Sequence, residues 1–148
     1  MKAPPYRTLV VDDHEPFRRL VCLTLRESTQ CEIIGEVSDG REAVQTAETL
    51  QPDLVLLDLG LPGLNGFEVA RQVRKLCPAT KILIVSQNST PDIVAGALRI
   101  GIGGYLLKSD AANLPAAVDS VLRGILFLSP QLNGKPQRTA DPEATSNR

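Results

Sequence analysis

Five short runs of aliphatic and β-branched residues, separated by stretches with apolar residues at helical spacing, are the strongest constraint on this 148-residue chain. Thr8 to Val11, Glu32 to Val37, Leu54 to Leu57, Lys81 to Val85 and Gly104 to Leu107 read as strands. Phe17, Leu20, Val21 and Leu25 recur on one face of a first helix, Val44 and Ala47 on a second, and Phe67, Ala70 and Val73 on a third. Ile93, Val94, Ala97 and Leu98 mark a fourth, and Leu114, Ala117, Val118, Val121 and Leu122 a fifth. Asn113 is the expected cap of the fifth, with Pro115 in its permissive first turn.

Runs such as Leu54-Val55-Leu56-Leu57 and Ile82-Leu83-Ile84-Val85 show no polar alternation. Strands of that kind are buried on both faces, as in a parallel sheet covered by helices on each side. The expected fold is therefore α/β: a doubly wound, flavodoxin-like (βα)5 unit with five parallel strands in the order 2-1-3-4-5. Hydrophobic residues make up 43% of the chain, enough to fill one such core. Beyond Leu128 the composition turns polar and Pro-rich, so residues 1–128 are expected to fold and 129–148 to form a disordered tail or linker.

Charge excludes some functions. Lys plus Arg number 16 against 17 Asp plus Glu, a net charge of −1, so no broad positive field exists to attract nucleic acid or an anionic membrane. No uninterrupted aliphatic run is long enough to suggest a signal peptide or a membrane span. Cys22, Cys31 and Cys77 form no CxxC pair, which points to reduced thiols and a cytoplasmic setting. His14, the one histidine, reads as a loop residue with no catalytic role.

The polar residues at the strand ends carry the chemistry. Asp12 and Asp13 follow the first strand, Asp58 the third, Ser86 the fourth and Lys108 the fifth, all at carboxyl ends, where ligands bind in an open parallel sheet. Three carboxylates brought together repel each other, and a hard divalent cation such as Mg²⁺ offsets that cost while leaving positions for phosphate oxygens. Lys108 adds a point charge and Ser86 a hydroxyl donor beside any bound phosphoryl group. Singly, each residue also has a plain structural role open to it. Asp13 can cap the helix that begins near Glu15-Pro16, Asp58 can serve the turn before Leu59-Gly60-Leu61-Pro62-Gly63, and Ser86 can be a loop hydroxyl. Lys108 discriminates best, because a lysine ending an apolar strand is costly to place inward without an anionic partner.

Val10-Val11-Asp12-Asp13-His14, the Asp58 to Gly66 segment, Ser86 and Gly104-Tyr105-Leu106-Leu107-Lys108 together resemble the receiver domain of two-component response regulators, over about residues 6 to 128. The wording is closest to receivers of helix-turn-helix regulators of the LuxR/NarL type. The resemblance implies that Asp58 is the phosphoacceptor for a sensor histidine kinase or phosphotransfer protein. It further implies that Asp12, Asp13, Asp58 and the Gly60 carbonyl bind Mg²⁺, and that Ser86 and Lys108 hold phosphoryl oxygens. Ser86 and the aromatic Tyr105 would then form the switch. A phosphoprotein of this kind works in signal transduction as an autocatalytic acceptor, not a turnover enzyme. A homodimer through helix 4, strand 5 and helix 5 is the implied self-association, with no direct nucleic-acid contact and no membrane contact by this chain.

Two departures stand out. Gln87 occupies a position usually held by a small residue, so its longer side chain is expected either to crowd the phosphoryl entrance or to hydrogen-bond to the phosphoryl group. Ser109 follows Lys108 where many receivers have a cis-proline, and a trans bond is expected because non-prolyl cis costs about 2.5–4 kcal/mol. Gln87 also keeps open the alternative of a receiver-fold interaction module that phosphate does not control. A second alternative is the receiver part of a DNA-binding regulator whose output domain lies outside these residues. A dehalogenase-like phosphohydrolase is disfavoured, because its Asp-x-Asp pattern is replaced here by Asp58-Leu59-Gly60.

Overall fold

The computed structural model describes residues 2–28 and 30–133. Strand β1 (Tyr6–Val11) leads into helix α1 (Glu15–Glu27), β2 (Cys31–Val37) into α2 (Gly40–Leu50), and β3 (Leu54–Leu57) into α3 (Gly66–Leu76). Strand β4 (Lys81–Ser86) precedes α4 (Pro91–Ile100), and β5 (Gly104–Leu107) passes through a 3₁₀ turn, Lys108–Asn113, into α5 (Leu114–Leu122). Strand β6 (Phe127–Leu128) and helix α6 (Pro130–Asn133) follow.

All neighbouring strands run parallel, in the order β2-β1-β3-β4-β5-β6. The flavodoxin-like order expected from the sequence is present, with β6 added at the β5 edge. Alternate residues of each strand feed opposite layers. Leu9, Val11, Val55, Leu57, Ile82 and Ile84 pack toward α2, α3 and α4, while Val10, Leu54, Leu56, Leu83 and Val85 pack toward α1 and α5. Two buried faces explain why these strands lack polar alternation. Among the described residues, no helix is long and apolar enough to cross a membrane.

Several local expectations need correction. Asn113 stands at the start of α5 but makes no capping bond there; its side-chain amide donates to Asp110 Oδ1 at 2.7 Å instead. Its backbone lies outside the extended conformation that a capping side chain needs. The helix α1 cap is His14, whose Nδ1 accepts from Phe17 N at 3.3 Å, so Asp13 is free of that duty. The ordered chain also continues past Leu128. Ser129 is fully buried, and Leu132 packs on the core. Composition misses this because a single hydroxyl and one leucine are enough to anchor a short segment to a sheet edge. The rest of the expected tail, 134–148, lies outside the described residues.

Candidate functional site

Pairing of β1 with β3 places Val11 beside Leu57, so the residues that follow, Asp12 and Asp58, emerge side by side. Backbone bonds hold both ends: Asp12 N donates to Val37 O and Asp58 N to Val11 O, each at 3.0 Å. On the other side, Ser86 of β4 pairs with Leu107 of β5, which brings Lys108 to the same edge. The strand register thus gathers residues from across the chain into one pocket.

Within that pocket, carboxylate oxygens of Asp12, Asp13 and Asp58 lie within 4.8 Å of one another. Lys108 Nζ lies 2.9 Å from Asp12 Oδ2 and 3.7 Å from Asp58 Oδ2, and is sheltered by the Phe17 ring with its centroid 4.6 Å away. The other oxygen of Asp12 accepts from His14 N at 2.8 Å, which fixes its rotamer. Asp13 is exposed and completes the acidic face from the solvent side.

Burial pushes the Asp58 carboxyl above the usual carboxylate range. Lys108 opposes that shift, Asp12 adds to it, and a backbone bond from Gly60 favours the anion. A buried carboxylate with two acidic neighbours and one lysine is short of positive charge. The all-oxygen donor set and its spacing fit a hard cation, and Asp13 and Gly60 border the site on its exposed side.

The loop beyond Asp58 is held by close packing. A Cβ on Gly66 would fall 2.4 Å from Leu59 Cα and 2.6 Å from Asp58 O, so only glycine lets α3 start this close to the acidic residue. At the other end of the loop, Gly40 N donates to Pro62 O at 3.1 Å. Asp39 caps α2 through Arg41 N and Glu42 N.

Two candidates make their hydrogen bonds to Asn88 and not to the carboxylates. Ser86 is buried and its Oγ accepts from Asn88 N at 3.0 Å, which ties it to the following loop. Tyr105 is 0% exposed and lies in the layer beneath, where its hydroxyl donates to Asn88 O at 2.5 Å. Burial raises its phenol above the ordinary value. Asn88 therefore links Ser86 and Tyr105, a relation that strand-end counting does not reveal. Phe17 was legible only as a core position, because nothing in helical spacing shows a ring turned to a lysine. Gln87 is exposed, and the Lys108–Ser109 peptide is trans.

Comparison with known proteins places this arrangement. The profile of the response regulator receiver domain matches residues 8–119. The nitrate/nitrite response regulator protein NarL of Escherichia coli K12 is 34% identical over 129 residues, covering 86% of this chain and 60% of that protein. The transcriptional regulatory protein DegU of Brevibacillus brevis is 34% identical over 125 residues, covering 84% of this chain and 53% of its own length. The chain thus spans little more than half of these curated relatives.

Among solved structures, a LuxR-family two-component response regulator from Aurantimonas superposes with a TM-score of 0.83 at 30% identity, covering 88% of this chain and 94% of the other. The signal receiver domain of the putative response regulator NarL from Mycobacterium tuberculosis gives 0.72 at 36% identity, covering 78% and 95%. Fold, strand-end residues and profile agree: the chain belongs to the response regulator receiver domain family of two-component signal transduction.

Proposed function

We propose that this domain accepts a phosphoryl group on Asp58 from the phosphohistidine of a sensor histidine kinase or phosphotransfer protein, and changes its partner binding as a result. The observation that carries the reading is a buried Asp58 carboxylate set between two further acidic side chains and the Lys108 ammonium.

An Asp58 oxygen attacks phosphorus in line as the P–N bond to the donor imidazole breaks. The bonding pair leaves with the imidazole nitrogen, which takes a proton from solvent. The product is an acyl phosphate, formed once per domain, so the protein is a stoichiometric acceptor. This chemistry needs positioning and charge stabilisation more than covalent machinery. The strand ends supply the positioning. Asp12, Asp13, Asp58 and the Gly60 carbonyl are the residues that would hold Mg²⁺. When bound, the ion supplies positive charge against the phosphoryl oxygens.

Lys108 bonds to Asp12 at 2.9 Å before transfer and is free to turn toward a new phosphoryl oxygen, since its flexible stem reaches both carboxylates. Ser86 would donate its hydroxyl to another oxygen. The same hydroxyl accepts from Asn88 N, so a shift of Ser86 toward the phosphoryl group pulls on Asn88 and through it on the Tyr105 hydroxyl, giving a physical route from Asp58 to β4, β5 and α4. Self-association through α4, β5 and α5 is the proposed consequence. Three free, buried thiols support a reducing, cytoplasmic setting.

The test is intact mass after incubation with Mg²⁺ and acetyl phosphate, beside Asp58→Asn and a metal-free control. One phosphoryl adduct that requires both Mg²⁺ and Asp58 is expected. Absence of an adduct under these conditions and with a cognate histidine kinase would overturn the reading in favour of an interaction module.

A further inference from the structure

The open edge of β5 is covered by the chain's own next segment. β6 pairs in parallel with it, with Gly104 opposite Phe127 and Tyr105 opposite Leu128. Phe127 N donates to Gly103 O at 3.2 Å, and Ser129 N to Tyr105 O at 3.0 Å. Backbone pairing then stops, yet the ladder is extended once more: Ser129 Oγ accepts from Leu107 N at 2.8 Å. Ser129 is 0% exposed, and Leu128 and Leu132 pack against the cluster that holds Val94, Ala97 and Tyr105.

A fully buried hydroxyl is unfavourable unless it is hydrogen-bonded, and a buried backbone N–H without an acceptor is equally costly. Ser129 and Leu107 solve each other's problem. The donor is the residue immediately before Lys108, and the neighbouring rung is Tyr105. The segment is therefore attached to β5 at Tyr105 itself and at the residue before Lys108, through bonds that tolerate little displacement of that strand.

We propose that residues 127–133 form a strap that reports the state of the Asp58 pocket, with Ser129 as the positioning residue that ties it to β5; this rests on the phosphoacceptor reading above. While the strap is docked, β5 offers no free backbone edge to a second copy of the chain. When the phosphoryl group draws on Ser86 and Lys108 and β5 shifts against β4, the Leu107 N–H moves with the strand, the Ser129 bond lengthens and the strap loosens. Residues 127–133 then gain freedom in response to chemistry at Asp58.

Amide hydrogen exchange of the full 148-residue chain tests this, with and without beryllofluoride and Mg²⁺ as a stable stand-in for the phosphoryl group. Binding of the fluoride at Asp58 is followed by fluorine NMR, with Asp58→Asn as control. In the unaltered chain, exchange at Leu107 and across 127–133 is expected to rise about fivefold or more, the scale of losing one hydrogen bond. Ser129→Ala is expected to exchange rapidly there in both states, so that the response to fluoride shrinks to less than about twofold, and Ser129→Thr to restore it. A serine with a purely structural role would shift both states alike and leave the response intact, overturning the proposal. Fluoride bound at Asp58 with unchanged exchange in 127–133 in the unaltered chain would overturn the strap and leave the phosphoacceptor reading standing. Failure to bind any fluoride through Asp58 would overturn both.

Discussion

The Lys108 ammonium lies nearer to Asp12 than to Asp58, at 2.9 Å against 3.7 Å, although Asp58 is the residue with the raised carboxyl. Its two partners leave it almost no solvent, with the lysine side chain 11% exposed and that of Asp12 5%. Lys108→Met removes the cation and leaves two buried carboxylates facing each other. The expected loss is about 3–5 kcal/mol at neutral pH without Mg²⁺, read from urea unfolding. Adding Asp12→Asn to that variant should recover part of the loss. A double variant no more stable than Lys108→Met would show that the pair is not coupled.

Asp58→Asn is expected to stabilise the metal-free protein at neutral pH by about 1 kcal/mol, because it removes a charge the fold holds at a cost. The sign of the pH dependence follows from the raised native value. Between the ordinary carboxylate range and the raised one, the native state retains a proton that the unfolded chain has released. Stability therefore falls as pH rises across that window and stays lower above it. Below the ordinary range both states are protonated and the penalty is absent, so the advantage of Asp58→Asn should vanish on acidification. Thermal melts across the pH range check this, and an advantage that grows toward acid would contradict it.

Gly40 lies where α2 meets the loop after Asp58. A Cβ there would fall 1.8 Å from Leu64 O, a backbone atom that moves only if the loop moves. Gly40→Ala should cost about 1–3 kcal/mol as overpacking. Because Gly40 N also holds Pro62 O, the displaced loop should slow formation of the Asp58 adduct as well. Melting temperature and adduct formation over time measure the two effects separately.

The three thiols should be silent in the native state. Burial pushes Cys22 up to about 11 and also raises Cys31 and Cys77. With so little thiolate and so little access, alkylation at about pH 8 should be far slower than in denaturant, where all three react. Rapid native labelling at any one of them would mean that its layer opens.

The architecture was readable because each strand announces itself by continuous burial and each helix by its period. The acidic pocket was readable for a related reason: in a parallel sheet, the residue after a strand has only one place to go. Asp12, Asp58 and Lys108 needed nothing more than that rule. The part played by Asn88 was not legible, because its acceptor role belongs to its backbone carbonyl, which is the same for every residue type. Ser129 was misplaced in the tail because its burial depends on β6, a strand of two residues with no period to detect. The Phe17–Lys108 contact escaped for another reason, since it joins the first helix to the residue after the fifth strand and no local pattern spans that distance.

That last contact bears on how the domain comes into being. The ammonium and one of its carboxylates arrive from opposite ends of the ordered chain, and the aromatic shield from the first helix, so the pocket closes only when β5 docks beside β4. Non-local closure of this kind comes late in folding. A chain still emerging from the ribosome, or cut before Lys108, would have its acidic residues but no cation among them. On the phosphoacceptor reading, damage or incomplete synthesis should therefore yield a silent protein in place of one locked in the active state.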